Sequence, residues 1–351
     1  MIAANILERR DIRLGLRARL TSVTITAVAA RKEMAPYGSS RGVKNVAIMR
    51  ADYTDHALRV KGVSAGGGKA YLTSFSPIDG LNGAAWGTYD VPMLELFDTH
   101  CHLAHGRLRQ QTDAVLARAA AAGVTRMICA TGDLTDSQAA LSLVRGRDNL
   151  WCLAGIHPHE AKDAPEHYLA AIGQLAGEAK NVAIGEIGLD YHYDFSPRDD
   201  QRRVFAAQLD LARELGKPVV MHTREAFDDS AGILRDSGID TNRVVLHCCT
   251  EPTANVRRAL DMGMTISFSG IVTFKRSDEL RAAAALVPHD RLLIETDSPY
   301  CSPEPVRRMQ TNEPANVAHV AACLASLRRT SAEALAELTT ANALRLFGIA
   351  G

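Results

Sequence analysis

Long hydrophobic runs are missing from this sequence. None reaches the roughly 18 residues that a bilayer-crossing helix needs, so no membrane partner is expected. Net charge is missing as well. The 40 Lys and Arg residues are matched by 40 Asp and Glu, which excludes the broad basic footprint of a protein that grips nucleic acid over a large surface. The balance hides an asymmetry, because residues 1–92 carry 13 basic and 7 acidic residues while the remainder carries 27 and 33. An anionic substrate would therefore be held locally, by cations the chain recruits and by a few arginines. Cysteine is absent before position 101. The seven present follow no framework spacing, and Cys129, Cys152 and Cys323 lie inside apolar runs. That argues against a disulfide-stapled scaffold and fits free, buried thiols in a reducing, cytoplasmic setting. Also lacking is a convincing GxSxG-type elbow, so no serine nucleophile of that design is expected.

What is present falls into two regions. At 351 residues the chain has room for a barrel of about 250 residues plus an extension. Residues 1–92 are punctuated by YGSSRG, GGGK and SPIDGLNG and show little sustained periodicity, as expected of an N-terminal extension of low order. Arg9, Arg10, Arg13, Arg17 and Arg19 alternate with Leu and Ile. A transit peptide is one reading, opposed by Glu8 and Asp11, and a basic interaction tail is another. The favoured reading makes Met93 the natural start and the upstream stretch mis-assigned or dispensable, since the first strand begins two residues after Pro92.

Residues 93–351 alternate regularly. Short apolar runs, read as strands, occupy 94–98, 124–131, 150–156, 182–188, 218–223, 243–248, 264–270 and 291–297. Ala- and Leu-rich helical stretches lie between them at 110–122, 135–146, 165–179, 199–216, 226–237, 253–262 and 277–287, and the tail 314–347 supplies one or two more. Gly123, Gly216 and Gly263 stand where helices should stop. Such alternation predicts an α/β fold, a closed (β/α)8 TIM barrel. An open doubly wound sheet would not bring the residues described next to one point.

Six candidate metal ligands sit at or near the ends of these runs: His100 and His102 in FDTHCHL, Glu186 in AIGEIGLDYH, His222 in VVMHTRE, His247 in VVLHCCT and Asp297 in LLIETDSPY. His100 and His102 are two apart, so in extended backbone both side chains point the same way. Glu186 interrupts an apolar strand, where an unpaired carboxylate is costly, and its two oxygens suit it to bridge two cations. His222 and His247 occupy equivalent places on adjacent strands and read as ligands of a second ion. Asp297 ends the last strand and would face the first across a closed barrel, able to bind the first metal and to take a proton from water. Four imidazoles and two carboxylates exceed what one four-coordinate ion needs, so two divalent cations are expected. Imidazoles favour Zn²⁺ or Mn²⁺, whereas phosphate substrates and cellular abundance favour Mg²⁺. The chemistry such a set permits is attack of metal-activated water on phosphorus or a carbonyl carbon. Around it, His157 and His159 in GIHPHE are candidate donors to substrate, and Arg224 is a candidate for an anionic oxygen. Asp190 and Tyr191 are placed to order the metal ligands.

In these residues the sequence resembles the TatD-type metal-dependent hydrolases of the amidohydrolase-like barrel superfamily. DTHCHL, GIHPHE, GEIGLDYH, PVVMHTRE, HCCT, ETDSPY and NEPANV appear in the family's order, from Met93 to about Gly348. The resemblance implies that His100, His102, Glu186 and Asp297 hold one metal and Glu186, His222 and His247 the other. It also implies magnesium-dependent deoxyribonuclease activity, often 3′-to-5′ exonucleolytic, or other phosphoester or acyl hydrolysis. Amidohydrolases that rely on a carbamylated lysine are excluded, because strand 4 offers Glu186 and Lys217 sits at the wrong end of strand 5. One departure lies after strand 8, where EPVRRMQTNEP keeps Arg307, a candidate substrate contact, but shows Arg308–Met309 in place of the family's Gly-Lys. The leading expectation is a phosphodiesterase acting on DNA ends. An acyl or amide hydrolase, such as an aminoacyl-tRNA deacylase, would use the same water, and a non-catalytic metal-binding barrel would not need paired metals. Oligomeric state is left open, a monomer included.

Overall fold

The computed structural model describes residues 25–28, 46–49, 58–66, 69–77, 90–92 and 94–350. Backbone contacts divide the chain between Met93 and Leu94. In the first unit Ile25–Val28 pairs antiparallel with Val46–Met49, and Leu58–Gly66, Lys69–Pro77 and Asp90–Pro92 form a three-stranded antiparallel sheet. The GGGK segment falls where Gly66 pairs with Lys69. Apart from Ile25–Val28, the arginine-rich stretch read as a transit peptide or tail lies outside the described residues.

The second unit is built on eight strands hydrogen-bonded in sequence order: β1 (Leu96–Cys101), β2 (Val124–Cys129), β3 (Leu150–Ala154), β4 (Asn181–Asp190), β5 (Val219–Arg224), β6 (Val244–Leu246), β7 (Thr265–Phe268) and β8 (Leu292–Ile294). Every neighbouring pair is parallel. β1 and β8 close the ring. The Thr99 hydroxyl donates to the Ile294 carbonyl at 3.0 Å, the Asp297 N–H to His100 O at 2.9 Å, and the His102 N–H to Ser298 O at 2.7 Å. Helices α1 (Thr112–Ala121), α2 (Leu134–Val144), α3 (Tyr168–Ala176), α4 (Arg198–Leu215), α5 (Phe227–Ser237), α6 (Thr253–Asp261) and α7 (Asp278–Leu286) cross between strands, and α8 (Val317–Leu327) and α9 (Ala332–Phe347) complete the chain. Among the described residues no helix is long and apolar enough to cross a membrane.

The apolar runs form strands because a parallel strand inside a helix ring is covered on both faces; all ten residues of β4 are buried. Phe97, Ile128, Leu153, Ala183, Val220, Val245 and Leu293, one from each of seven strands, pack into a single cluster with Ala343 and Phe347 of α9. A cluster drawn from so many strands fills the interior of the ring, whereas Leu96, Met127, Ile184, Met221, Leu246 and Ile266 belong to the larger core shared with the helices. Polar punctuation acts as expected: Asp133 caps α2 through the Asp136 N–H at 2.7 Å, and Gly216 ends α4 at φ 59°.

The strands after β5 are shorter than their apolar runs suggest. β6 stops at Leu246 and β8 at Ile294, so His247 and Asp297 lie just past the strands that deliver them. The backbone leaves extended geometry there, with φ 42° at Cys248 and φ 53° at Asp297. Such left-handed turns at strand ends direct side chains toward the mouth instead of continuing the ladder.

Asp98 locks the closure. Its Oδ1 accepts the backbone N–H of Thr296 at 2.8 Å and of His100 at 3.3 Å, and its Oδ2 meets the Thr296 hydroxyl at 2.6 Å. Burial pushes the Asp98 carboxyl up to about 8, so near neutrality it is largely an uncharged acid. Asp98→Ala strands these buried donors and is expected to cost on the order of 3 kcal/mol. Asp98→Asn, a near-isostere of the neutral acid, is expected to cost less than half as much. Equal losses for the two variants in denaturant titrations would contradict this role.

Candidate metal centre

Glu186 lies in the middle of β4 with its side chain almost completely shielded from solvent. Its two oxygens face different partners. Oε2 is 3.2 Å from His100 Nε2 and 3.7 Å from His102 Nε2. Oε1 is 2.9 Å from His222 Nδ1, 2.9 Å from His247 Nε2 and 3.2 Å from His157 Nε2. Asp297 adds Oδ1 to the first group, 3.5 Å from His102 Nε2. All six residues singled out in the sequence thus meet at one point, brought there by β1, β4, β5 and the ends of β6 and β8. The approach of β4 to β5 requires glycine: Gly188 has φ 143°, and a Cβ there would overlap the His222 carbonyl.

The histidines are oriented by carboxylates and backbone behind them. His247 Nδ1 lies 3.0 Å from Glu295 Oε1, which also accepts the Cys248 N–H at 2.6 Å, while Glu295 Oε2 accepts the Ser267 hydroxyl at 2.7 Å. His222 Nε2 is 3.0 Å from Asp190 Oδ2, and the same oxygen is 2.9 Å from His159 Nε2. These contacts leave His247 Nε2 and His222 Nδ1 as the atoms facing Glu186. His157 differs. Its Nδ1 accepts the His159 N–H at 3.1 Å, so the proton of the neutral ring sits on Nε2 and points into the site. In that tautomer His157 is a hydrogen-bond donor and not a metal ligand.

Glu295 was not picked out in the sequence reading, although the argument applied to Glu186 covers it: a carboxylate within an apolar strand must be paired. Cys248 and Cys301 carried no such signal. Their sulfurs lie 3.6 and 3.4 Å from Asp297 Oδ2, and all three residues adopt left-handed backbone. All seven cysteines are free thiols. Arg224 is half-buried, with its guanidinium 4.7 Å from the centre of the Tyr193 ring. Neither nearby carboxylate takes it, since Glu225 pairs with His192 at 2.7 Å and Asp228 with Arg258 at 2.6 Å. Arg307, on the loop after β8, is exposed and stacked on the Phe274 ring. Tyr191 bonds Asp229 at 2.7 Å and makes no contact with the imidazoles. Lys217 precedes β5 and donates to Asn181 O at 2.7 Å, at the opposite end of the strand from His222.

Electrostatics make this a site for cations. Burial alone would raise the Glu186 pKa, but the imidazoles, His247 foremost, outweigh it and hold the carboxyl well below its usual range. Burial alone would lower His247, yet Glu186 and Glu295 together raise it well above 6.5. Against burial, Asp190 and Glu186 raise His222, and Asp297 and Glu186 raise His102. Burial and the neighbouring His247 lower His100, and burial pushes His157 down to about 4. Protons held by His102, His222 and His247 must leave when a cation is ligated, so metal affinity should increase with pH.

The donor set fits divalent ions. His100 Nε2 and His102 Nε2 face each other at 3.3 Å, where lone pairs repel unless a proton or cation lies between them. Ligand atoms about 2.1 Å from an ion stand about 3.0–3.4 Å apart, close to the separations around both oxygens of Glu186.

A sequence model of one family, described as TatD related DNase, matches residues 97–348. Over 254 residues the chain is 39% identical to the uncharacterized metal-dependent hydrolase YabD of Bacillus subtilis (strain 168), an alignment covering 72% of this chain and 99% of that protein. It is 38% identical over 258 residues to the 3′-5′ ssDNA/RNA exonuclease TatD of Klebsiella pneumoniae (strain 342), covering 72% and 98%. Among solved structures, YJJV, a TatD homologue from Escherichia coli K12, superposes with a TM-score of 0.70 at 30% identity, covering 74% of this chain and all of that one.

Glu295→Gln keeps the shape but removes the charge that holds His247 in register. The barrel is expected to remain folded while divalent-metal affinity at neutral pH falls roughly 10- to 100-fold. Calorimetric titration showing wild-type affinity would remove Glu295 from the account.

Proposed function

The chain belongs to the TatD-related DNase family of metal-dependent hydrolases that act on ester bonds, and we propose that it removes nucleotides from the 3′ ends of DNA with two divalent cations. The observation that carries the reading is the division of Glu186, whose two oxygens face separate sets of imidazole nitrogens. His100, His102, Glu186 and Asp297 would hold one ion, and Glu186, His222 and His247 the other. Mg²⁺ suits the phosphate substrate, with Zn²⁺ and Mn²⁺ as the alternatives the imidazoles admit. When bound, such ions acidify water and offset the charge that develops on the reacting phosphate.

The chain's own residues do the rest. Asp297 stays ionised, because the hydrogen bond from His102 and the charges of the imidazoles outweigh the effect of burial, and it takes the proton of the attacking water. His157 donates a hydrogen bond from its Nε2–H to a phosphate or leaving-group oxygen. His159 acts through Asp190, which fixes both it and His222. Arg224, with no ion pair among the described residues, meets an anionic oxygen through its planar fork, and the exposed Arg307 is left for a phosphate farther along the strand. Residues 93–351 carry this activity and residues 1–92 are an extension dispensable to it. Seven free thiols accord with a cytoplasmic location.

Purified protein tested on 3′-labelled single-stranded DNA, RNA and aminoacyl-tRNA, with and without each metal, is expected to shorten DNA only when metal is present. In Asp297→Asn the turnover rate should fall by about 10²–10⁴-fold with little change in KM. A raised KM at unchanged rate would make Asp297 a positioning residue, and hydrolysis confined to the acyl substrate would replace the nuclease reading with a deacylase.

A further inference from the structure

The loop between β4 and α4 carries two of the largest exposed apolar side chains in the barrel. Tyr193 is 47% and Phe195 57% exposed, and their rings stack nearly parallel, 5.1 Å apart at 20°. Asp194 between them adopts φ 49°, a left-handed conformation that Asp tolerates. Arg198 fixes this residue with two guanidinium contacts, at 2.7 and 3.0 Å. Scattered surface aromatics need no explanation, but a stacked pair held at the mouth of a catalytic barrel does.

The pair is keyed to the metal centre through one carboxylate. Asp190 Oδ1 accepts the N–H groups of His192 and Tyr193 at 3.0 and 2.8 Å, while its Oδ2 holds His159 and His222 at 2.9 and 3.0 Å. His159 stands edge-on to Phe195 at 4.8 Å and to Tyr193 at 5.6 Å, and its ring centre is 6.2 Å from that of His222. The aromatic surface therefore begins one ring away from a candidate metal ligand. Over Tyr193 lies the Arg224 guanidinium, a cation without a carboxylate partner among the described residues. An exposed aromatic pair beside an arginine with no carboxylate partner among the described residues matches a ligand with a flat aromatic base and a neighbouring phosphate.

We propose that Tyr193 and Phe195 form a base-stacking subsite, which seats the base of the nucleotide adjoining the scissile phosphate while Arg224 meets that nucleotide's phosphate. The subsite rests on the nuclease reading above and specifies how that nuclease holds its strand. Bases within a duplex are already stacked on one another, so the subsite selects unpaired ends. It is also blind to base identity, because every base offers a π-face.

The test compares two labelled single strands, one normal and one with abasic residues at its last two 3′ positions. Wild-type protein should favour the normal strand in kcat/KM by roughly 5- to 100-fold, the range for loss of a stacked base. In Tyr193→Ala/Phe195→Ala this preference should collapse toward one, and fluorescence anisotropy should show weakened binding of the normal strand but not of the abasic one. Tyr193→Phe/Phe195→Tyr should restore both. A wild-type enzyme indifferent to the abasic residues, or an alanine variant that keeps the preference, overturns the subsite and leaves the nuclease reading intact. A wild-type protein that cleaves neither strand overturns the nuclease reading, and the subsite falls with it.

Discussion

A carboxylate sealed inside a barrel has to be neutralised, and the architecture around Glu186 follows from that requirement. Removed from water, its charge would be expensive by several kcal/mol or more unless positive charge or hydrogen-bond donors enclosed it. Five imidazoles, carried by β1, β5, β6 or their ends and by the loop after β3, supply that enclosure, and they come close enough only because the ring is closed. Closure in turn depends on the seam between β1 and β8, where Asp98 and Thr99 reach across to Thr296 and Ile294. Fold and site are thus one problem, since the seam that completes the barrel also brings His100 and Asp297 together through a main-chain hydrogen bond.

Outside this centre stand two further carboxylates with separate duties. Glu295 faces His247 from behind, and Asp190 joins His222 to His159 and to the loop bearing Tyr193. Each fixes which ring nitrogen is left for the centre. His157 is held by a backbone N–H instead, so its Nε2 carries a proton even in the neutral ring. His157, His222 and His247 are therefore sorted into a donor and two ligand candidates by what lies behind each ring.

Most of the barrel and all six ligand candidates were legible in the sequence, for a physical reason. A parallel strand buried on both faces must be apolar throughout, so any charged or imidazole residue within it or at its end stands out, and Glu186, His222 and His247 do so. Less legible was whatever depends on backbone turns. β6 and β8 end before His247 and Asp297, and the positive φ angles at Cys248 and Asp297 that place two thiols against a carboxylate oxygen leave no trace in hydrophobic periodicity. The stacked Tyr193 and Phe195 were missed likewise, because they lie in an irregular loop around a left-handed Asp194 that periodicity does not describe. Glu295 was within reach, since it breaks an apolar run as Glu186 does.

The division of Glu186 between two sets of nitrogens is the centre of the account, and metal stoichiometry tests it most directly. Protein stripped of metal, titrated with Mn²⁺ or Zn²⁺ and analysed for bound metal after gel filtration, should hold two ions per chain. Glu186→Gln, folded by circular dichroism, should hold one at most, because a neutral amide leaves two cations facing each other unscreened. One ion in the wild type, or two retained with undiminished affinity in the variant, would contradict the account.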